Sequence, residues 1–290
     1  MPAEPARFVL TLSCGDRRGI VAAVANSIAS QDCNIVESAQ YGDPDSARFF
    51  MRVAFAAPAS VTRESFTRGF LPVATGYDFS WDLHDLSVRP RVMILVSRMG
   101  HCLNDLLYRN AIGQLPMDLV SVVSNHETMR RRVEGEGLPF FHLPVEAEGG
   151  ARAKAEQEAA ILDLIERERV ELVVLARYMQ VLSDAMSERL AGRIINIHHS
   201  FLPSFKGAKP YHRAHERGVK LIGATAHFVT GDLDEGPIIE QDVERVDHAM
   251  TPEELTAIGR DVECVVLARA VKWFVEHRIL LNGHRTVVFR

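Results

Sequence analysis

Arg91-Val92-Met93-Ile94-Leu95-Val96 is the stretch whose reading settles the fold. Five apolar residues in a row, with none of the alternation of a half-exposed strand, mark a strand covered on both faces, as parallel strands are. Residues 119–123, 172–176 and 194–197 read the same way, and 140–143 is a shorter run. Helical patterns fall between them: a segment from Cys102 to about Asn110, a charged one ending near Glu136, and an Ala- and Glu-rich one over 151–169. A helix is expected over 208–217, and residues 221–229 and 237–243 read as two further strands. Thr251-Pro252-Glu253-Glu254 supplies an N-cap, a proline at the first helical position and an acidic residue to start a last helix, which runs to about His277. The tail, 280–289, adds a short strand. Strands alternating with helices predict a doubly wound, mostly parallel α/β sheet over 91–290, with ligands at the carboxyl ends of its strands.

The chain before residue 91 has a different rhythm. Residues 7–13 alternate as a strand, 20–29 carry apolar residues at helical spacing, 34–40 and 48–54 are strands around a Gly42-Asp43-Pro44-Asp45 turn, 61–71 is helical and 78–86 closes with a strand. The order βαββαβ is that of a ferredoxin-like unit over 1–86, joined by a linker at 87–90. A small sheet with an exposed edge strand invites pairing, so a homo-oligomer, dimer or tetramer, is expected.

Composition excludes several classes. A net charge of −5 gives no basic face for nucleic acid, and 47% hydrophobic residues suffice for packed cores. No run of 18 apolar residues and no leader-like start occurs, so neither a membrane span nor export is expected. The four cysteines, Cys14, Cys33, Cys102 and Cys264, form no CxxC pair and suit reduced thiols in the cytoplasm.

Chemistry concentrates between Asn196 and Gly236. An apolar strand end turns polar at Asn196-Ile197-His198-His199-Ser200, and a second apolar run ends in His227-Phe228-Val229-Thr230-Gly231-Asp232-Leu233-Asp234-Glu235-Gly236-Pro237. An amide, an imidazole and a carboxylate form a set for polarising a carbonyl and steering a proton. The same residues also suit loop structure, and His198, His199, His212, His215 and His227 raise the question of a metal. No HExxH and no cysteine pair accompanies them, and no metal is expected.

Asn-Ile-His-His-Ser-Phe-Leu-Pro at 196–203, with His227 to Pro237, resembles the N10-formyltetrahydrofolate-using formyltransferase family. Phe-Leu-Pro-Ser-Phe-Lys-Gly-Ala-Lys-Pro-Tyr-His at 201–212 is most similar to its deformylase branch. The resemblance implies a catalytic trio of Asn196, His198 and Asp234. It also implies a substrate-binding loop with Met179 and Leu182 around the pterin, His227 at the site's rim, and Gly236 in the turn after Asp234. Lys206 and Lys209 read either as contacts for the folate glutamate tail or as solvated loop lysines. Relatives that formylate a nucleotide amine cradle its phosphate on a Gly-rich turn. The matching turn here, Ser97-Arg98-Met99-Gly100-His101-Cys102, keeps only Gly100. The tRNA-formylating relative carries a basic domain after the catalytic one, whereas the extra domain here lies in front. Water is then the expected acceptor, and the implied reaction is hydrolysis of 10-formyltetrahydrofolate to tetrahydrofolate and formate. This would supply formate for purine synthesis and balance the one-carbon folate pools, with folate the substrate and no cofactor. The alternatives are formyl transfer to a small amine, and an amino-acid-responsive regulator that only binds folate.

Asp16-Arg17-x-Gly19-Ile20-Val21, with Asn34 opening the next strand, resembles the ACT family of amino-acid-sensing domains. That resemblance implies an effector site formed by Asp16, Arg17, Gly19 and Asn34. Glycine and methionine, amino acids tied to one-carbon supply, are the expected effectors. A module that only holds subunits together is the other reading.

Overall fold

The structure, a computed structural model, describes residues 6–145, 150–202 and 210–290. Lys206 and Lys209 lie outside the described residues. The chain divides into two compact units: Met1–Arg89 with Glu276–Asn282 and Val287–Arg290, and Pro90–Val275 with Gly283–Thr286.

The first unit runs β1 (Ala6–Gly15), α1 (Ile20–Ala29), β2 (Asn34–Asp43), β3 (Arg48–Ala57), α2 (Arg63–Tyr77) and β4 (Ser80–Asp85). Its antiparallel sheet has the order β2-β3-β1-β4. Phe8, Phe55, Phe66 and Phe70 stack in series between the sheet and α2, and Trp81 meets Phe70 edge-on. The sequence reading ends α2 at Leu71, just before Pro72. The helix instead continues through Pro72 to Tyr77. A proline inside a helix costs about 3 kcal/mol. Burial of Phe66, Phe70 and Ala74 along one face of α2 outweighs it.

The second unit is a seven-stranded sheet of order β11-β10-β9-β8-β5-β6-β7. Its strands are β5 (Arg91–Val96), β6 (Asp118–Ser124), β7 (Phe140–His142), β8 (Leu172–Leu175), β9 (Ile194–His198), β10 (Leu221–Phe228) and β11 (Ile238–Arg245). β9-β8-β5-β6-β7 are parallel, and β10 and β11 add antiparallel at one edge. Val92 to Val96 are fully buried, as an uninterrupted apolar run requires. The sheet is covered by α3 (His101–Ala111), α4 (Arg130–Glu134), α5 (Gly150–Arg167), α6 (Asp184–Arg189), α7 (Pro210–Glu216) and α8 (Pro252–Val275). α8 starts as its sequence dictates: Glu254 N–H donates to Thr251 Oγ1 at 3.2 Å and Thr251 N–H to Glu254 Oε2 at 2.7 Å. The chain leaves β5 for β6 and β7, then crosses back to β8 and β9, so the order reverses between β5 and β8. That switch point, at the carboxyl ends of the strands, is where a ligand crevice opens in such sheets.

The tail forms a hairpin, β12 (Ile279–Asn282) and β13 (Arg285–Val288), rather than a single strand. Its outer residues cluster with the first unit. Arg278 pairs with Glu37 at 2.8 Å, Asn282 Nδ2 donates to Asp43 Oδ2 at 2.7 Å, and buried Arg52 donates to the backbone oxygens of Glu276 and His277.

Candidate active site

β9 places two side chains by strand periodicity alone. Asn196 and His198 are two residues apart and therefore share a face. The antiparallel partner β10 sets His227 opposite Asn196 and Thr225 opposite His198. Cross-strand neighbours on one face meet directly: Asn196 Nδ2 lies 3.2 Å from His227 Nε2. The other ring nitrogen of His227, Nδ1, is 2.8 Å from Phe228 O. A carbonyl oxygen only accepts, so Nδ1 carries the hydrogen and Nε2 accepts from Asn196. Burial holds the His227 pKa down, in keeping with that neutral ring. The second N–H of the Asn196 amide is then left for a ligand.

Asp234 comes from the turn after β10. Its Oδ1 lies 3.2 Å from His198 Nδ1 and 3.8 Å from His227 Nε2. The hydrogen bond from His198 holds the carboxyl below its usual range. Asp234 has φ 58, a left-handed conformation that Asp tolerates better than most residues. Gly236 makes the turn possible, since an added Cβ would stand 1.7 Å from Phe228 O. Gly236 does not line the pocket; it lets the turn close on β10. His198 is 5% exposed, and its Nε2 has no hydrogen-bond partner among the described residues.

Asn196, His198, His227 and Asp234 line a pocket of about 610 Å³. Met179 and Leu182 line it too, and Met179, Val181 and Leu233 offer it exposed apolar surface. Met179 is fixed through its backbone: its N–H donates to Ser97 Oγ at 2.9 Å, and Ser97 donates to Asn125 Oδ1 at 2.7 Å. The sequence reading of the site lacks a second polar group in the same pocket, formed by Arg177, His199, Tyr211 and Glu263. Glu263 is 1% exposed; its Oε2 meets His101 Nε2 at 2.7 Å and its Oε1 accepts from the Tyr211 hydroxyl at 2.7 Å. Burial works against its charge, yet the donors around it hold its pKa down. Burial and the Arg177 cation push His199 down to about 4. A lone carboxylate on the apolar face of α8 is the one sequence signal for this group.

His101, Cys102 and Glu263 bring ligand-type atoms within 4.8 Å of one another, the one such group among the described residues. They fit a metal poorly. Both Glu263 oxygens are taken by protein donors, and a hydrogen bond with Cys264 and burial push the Cys102 thiol well up, away from the thiolate a metal binds.

In the first unit, Asp16, Arg17 and Gly19 share the exposed turn between β1 and α1. Arg17 Nη2 donates to Gly76 O at 2.7 Å and its guanidinium lies 4.3 Å from the Tyr77 ring centre. Gly19 has φ 91, and a Cβ there would come 3.0 Å from the Tyr77 hydroxyl. Asn34, at the start of β2, is exposed and makes none of these contacts.

Residues 90–271 match the formyl transferase family model. The formyltetrahydrofolate deformylase of Corynebacterium sp. (strain P-1) is 50% identical over 289 residues, covering 99% of this chain and 100% of that one. The chain belongs to the formyltetrahydrofolate deformylase family. A solved deformylase of this family, from Burkholderia mallei, shares 56% identity and superposes with a TM-score of 0.93 over 99% of this chain and all of its own. Glycinamide ribonucleotide transformylase 1 from Symbiobacterium toebii is more distant: 31% identity, TM-score 0.66, 72% of this chain and 98% of its own. Membership fits the second unit's mostly parallel sheet. Among the described residues no helix is long and apolar enough to cross a membrane.

Proposed function

We propose that the chain hydrolyses 10-formyltetrahydrofolate to tetrahydrofolate and formate, with Asn196, His198 and Asp234 as its catalytic residues. The observation that carries the site assignment is the pair of buried His198 with partly buried Asp234, whose free Nε2 lies in a pocket beside an amide with one uncommitted N–H. Water adds to the formyl carbon and the carbonyl electron pair moves onto oxygen. Asn196 and protonated His198 donate to that oxyanion, each such donor being worth about 2.7–4 kcal/mol of barrier. The Asp234 carboxylate balances the charge on His198 until it takes the proton that water loses. The C–N10 bond then breaks, N10 takes the His198 Nε2 proton, and solvent carries the Asp234 proton away and reprotonates Nε2. The formic acid ionises, so each turnover consumes one water and releases one net proton.

The apolar surface at Met179, Leu182 and Leu233 is read as the pterin's seat, with His227 holding Asn196 in place. The first unit, which resembles an ACT domain, is read as a regulatory and assembly element. Its Asp16–Gly19 turn and Asn34 would take glycine or methionine, and its sheet edge would join copies into a homo-oligomer. The cytoplasm is the expected setting for the four free cysteines. Mixing the protein with 10-formyltetrahydrofolate in amine-free buffer tests the reaction: formate and tetrahydrofolate should appear in equal amounts. Folate binding without turnover would leave a regulator instead.

A further inference from the structure

The pocket has a second charged wall that the hydrolytic steps leave unused. Arg177 stands two residues beyond the end of β8, with φ 63. An L side chain takes that conformation at a cost, and such strain persists where the surroundings hold the residue for a purpose. Here it directs a cationic side chain to the pocket wall, where Arg177 is only 9% exposed.

The donors of this buried guanidinium are poorly matched. Nη2 faces the thioether sulfur of Met99 at 3.8 Å, a weak acceptor. Nε stands 3.5 Å from Glu263 Oε2 and makes no hydrogen bond among the described residues. Glu263 makes its hydrogen bonds with His101 and Tyr211 instead, at 2.7 Å each. Glu263 therefore balances the charge of Arg177 without using up its N–H groups. A guanidinium presents five donors in a planar fork, and unfilled buried donors are costly. The group that fits such a fork is a planar oxyanion.

His199 connects this wall to the reacting pair. Its ring centre is 5.0 Å from that of His198, and the Arg177 charge acts on it too. Since burial and that charge push it down to about 4, His199 is neutral near pH 7 and adds no second positive charge to this wall.

We propose that Arg177 forms a subsite for a small carboxylate, and that its natural occupant is the formate released by the hydrolysis. This inference rests on the hydrolytic reading above. The formyl group is neutral, so the charge that Arg177 recognises exists only after the C–N bond has broken. The subsite therefore favours the product and draws it away from His198.

The test is product inhibition by formate, together with direct binding of ¹³C-formate followed by NMR without turnover. Arg177→Gly keeps the left-handed backbone without strain and removes the fork, whereas Arg177→Lys keeps the charge and removes the fork. In both variants the inhibition constant of formate should rise about tenfold or more, while that of tetrahydrofolate stays put. Nitrate, planar and of like charge, should displace formate from the intact protein, and chloride at equal ionic strength should not. A formate constant unchanged in Arg177→Gly, or equal displacement by chloride and nitrate, would overturn the subsite. If Arg177→Gly loses its cooperative melt, Arg177→Lys and the nitrate competition decide. Failure of the hydrolytic reading shows separately, as wild-type protein that produces no formate from formyl-folate whatever Arg177 binds.

Discussion

Gly236→Ala is a one-atom change that the site geometry makes severe. The added Cβ would stand 1.7 Å from Phe228 O, whereas ordinary contact begins at 3.4 Å, so turn and strand must part by about 1.7 Å. Two hydrogen bonds sit in that gap: Phe228 N–H donates to Pro237 O at 2.9 Å, and His227 Nδ1 donates to Phe228 O at 2.8 Å. Asp234 is two residues earlier in the same turn, and its 3.2 Å contact with His198 has little slack. A displacement of about 1 Å at a reacting group costs roughly a hundredfold in rate. Formate release by Gly236→Ala should therefore fall by about a hundredfold or more in kcat, with a lower melting temperature. Far-ultraviolet circular dichroism checks that the fold survives. A well-folded Gly236→Ala protein with kcat within a few-fold of wild type would refute the claim that this turn positions Asp234.

Asn196→Ala, His198→Ala and Asp234→Asn should each lower kcat by about a hundredfold or more with little change in folate affinity; steady-state kinetics and calorimetry separate the two. A variant that only raised KM would be a binding contact. His199, pushed down to about 4, and His277, pushed down to about 3, must stay neutral when folded and bind protons more readily when unfolded. Their contribution is whole above the ordinary histidine pKa near 6.5 and is lost as pH falls toward 4. Each accounts for on the order of 3 kcal/mol. Denaturant melts at pH 7 and pH 4.5 measure it, and equal stability at both would count against the buried neutral rings. Titrating glycine and methionine against the intact protein should change activity roughly 5- to 150-fold if the first unit is an effector domain, since coupling is typically about 1–3 kcal/mol. A flat response with no calorimetric binding leaves it an assembly element.

The parallel core was legible because residues 92–96 are apolar at every position and their sister runs nearly so, a pattern that water-facing strands cannot keep. The start of α8 was legible from Thr251, Pro252 and Glu254, which act locally. The direction of β10 and β11 was not, since side-chain periodicity is the same in either direction. α6 escaped notice because six residues are too few for a helical period, although Ser183 caps it by accepting from Met186 N–H at 3.2 Å. Within the site, an amide, an imidazole and a later carboxylate were legible as a set at two strand ends, while the choice of Asn196, His198 and Asp234 came from family resemblance. The His101–Glu263 contact joins residues 162 positions apart, and nothing local announces it. Arg177 was hidden for a related reason: an arginine after a strand is ordinary until its φ is known.

The acceptor is the centre of the account. Turnover in ¹⁸O-water, with a small primary amine in excess, tests it most directly. Mass spectrometry should recover the formyl carbon as formate bearing one solvent-derived oxygen, with the amine untouched. Recovery of the carbon as the formamide of the added amine would contradict the account.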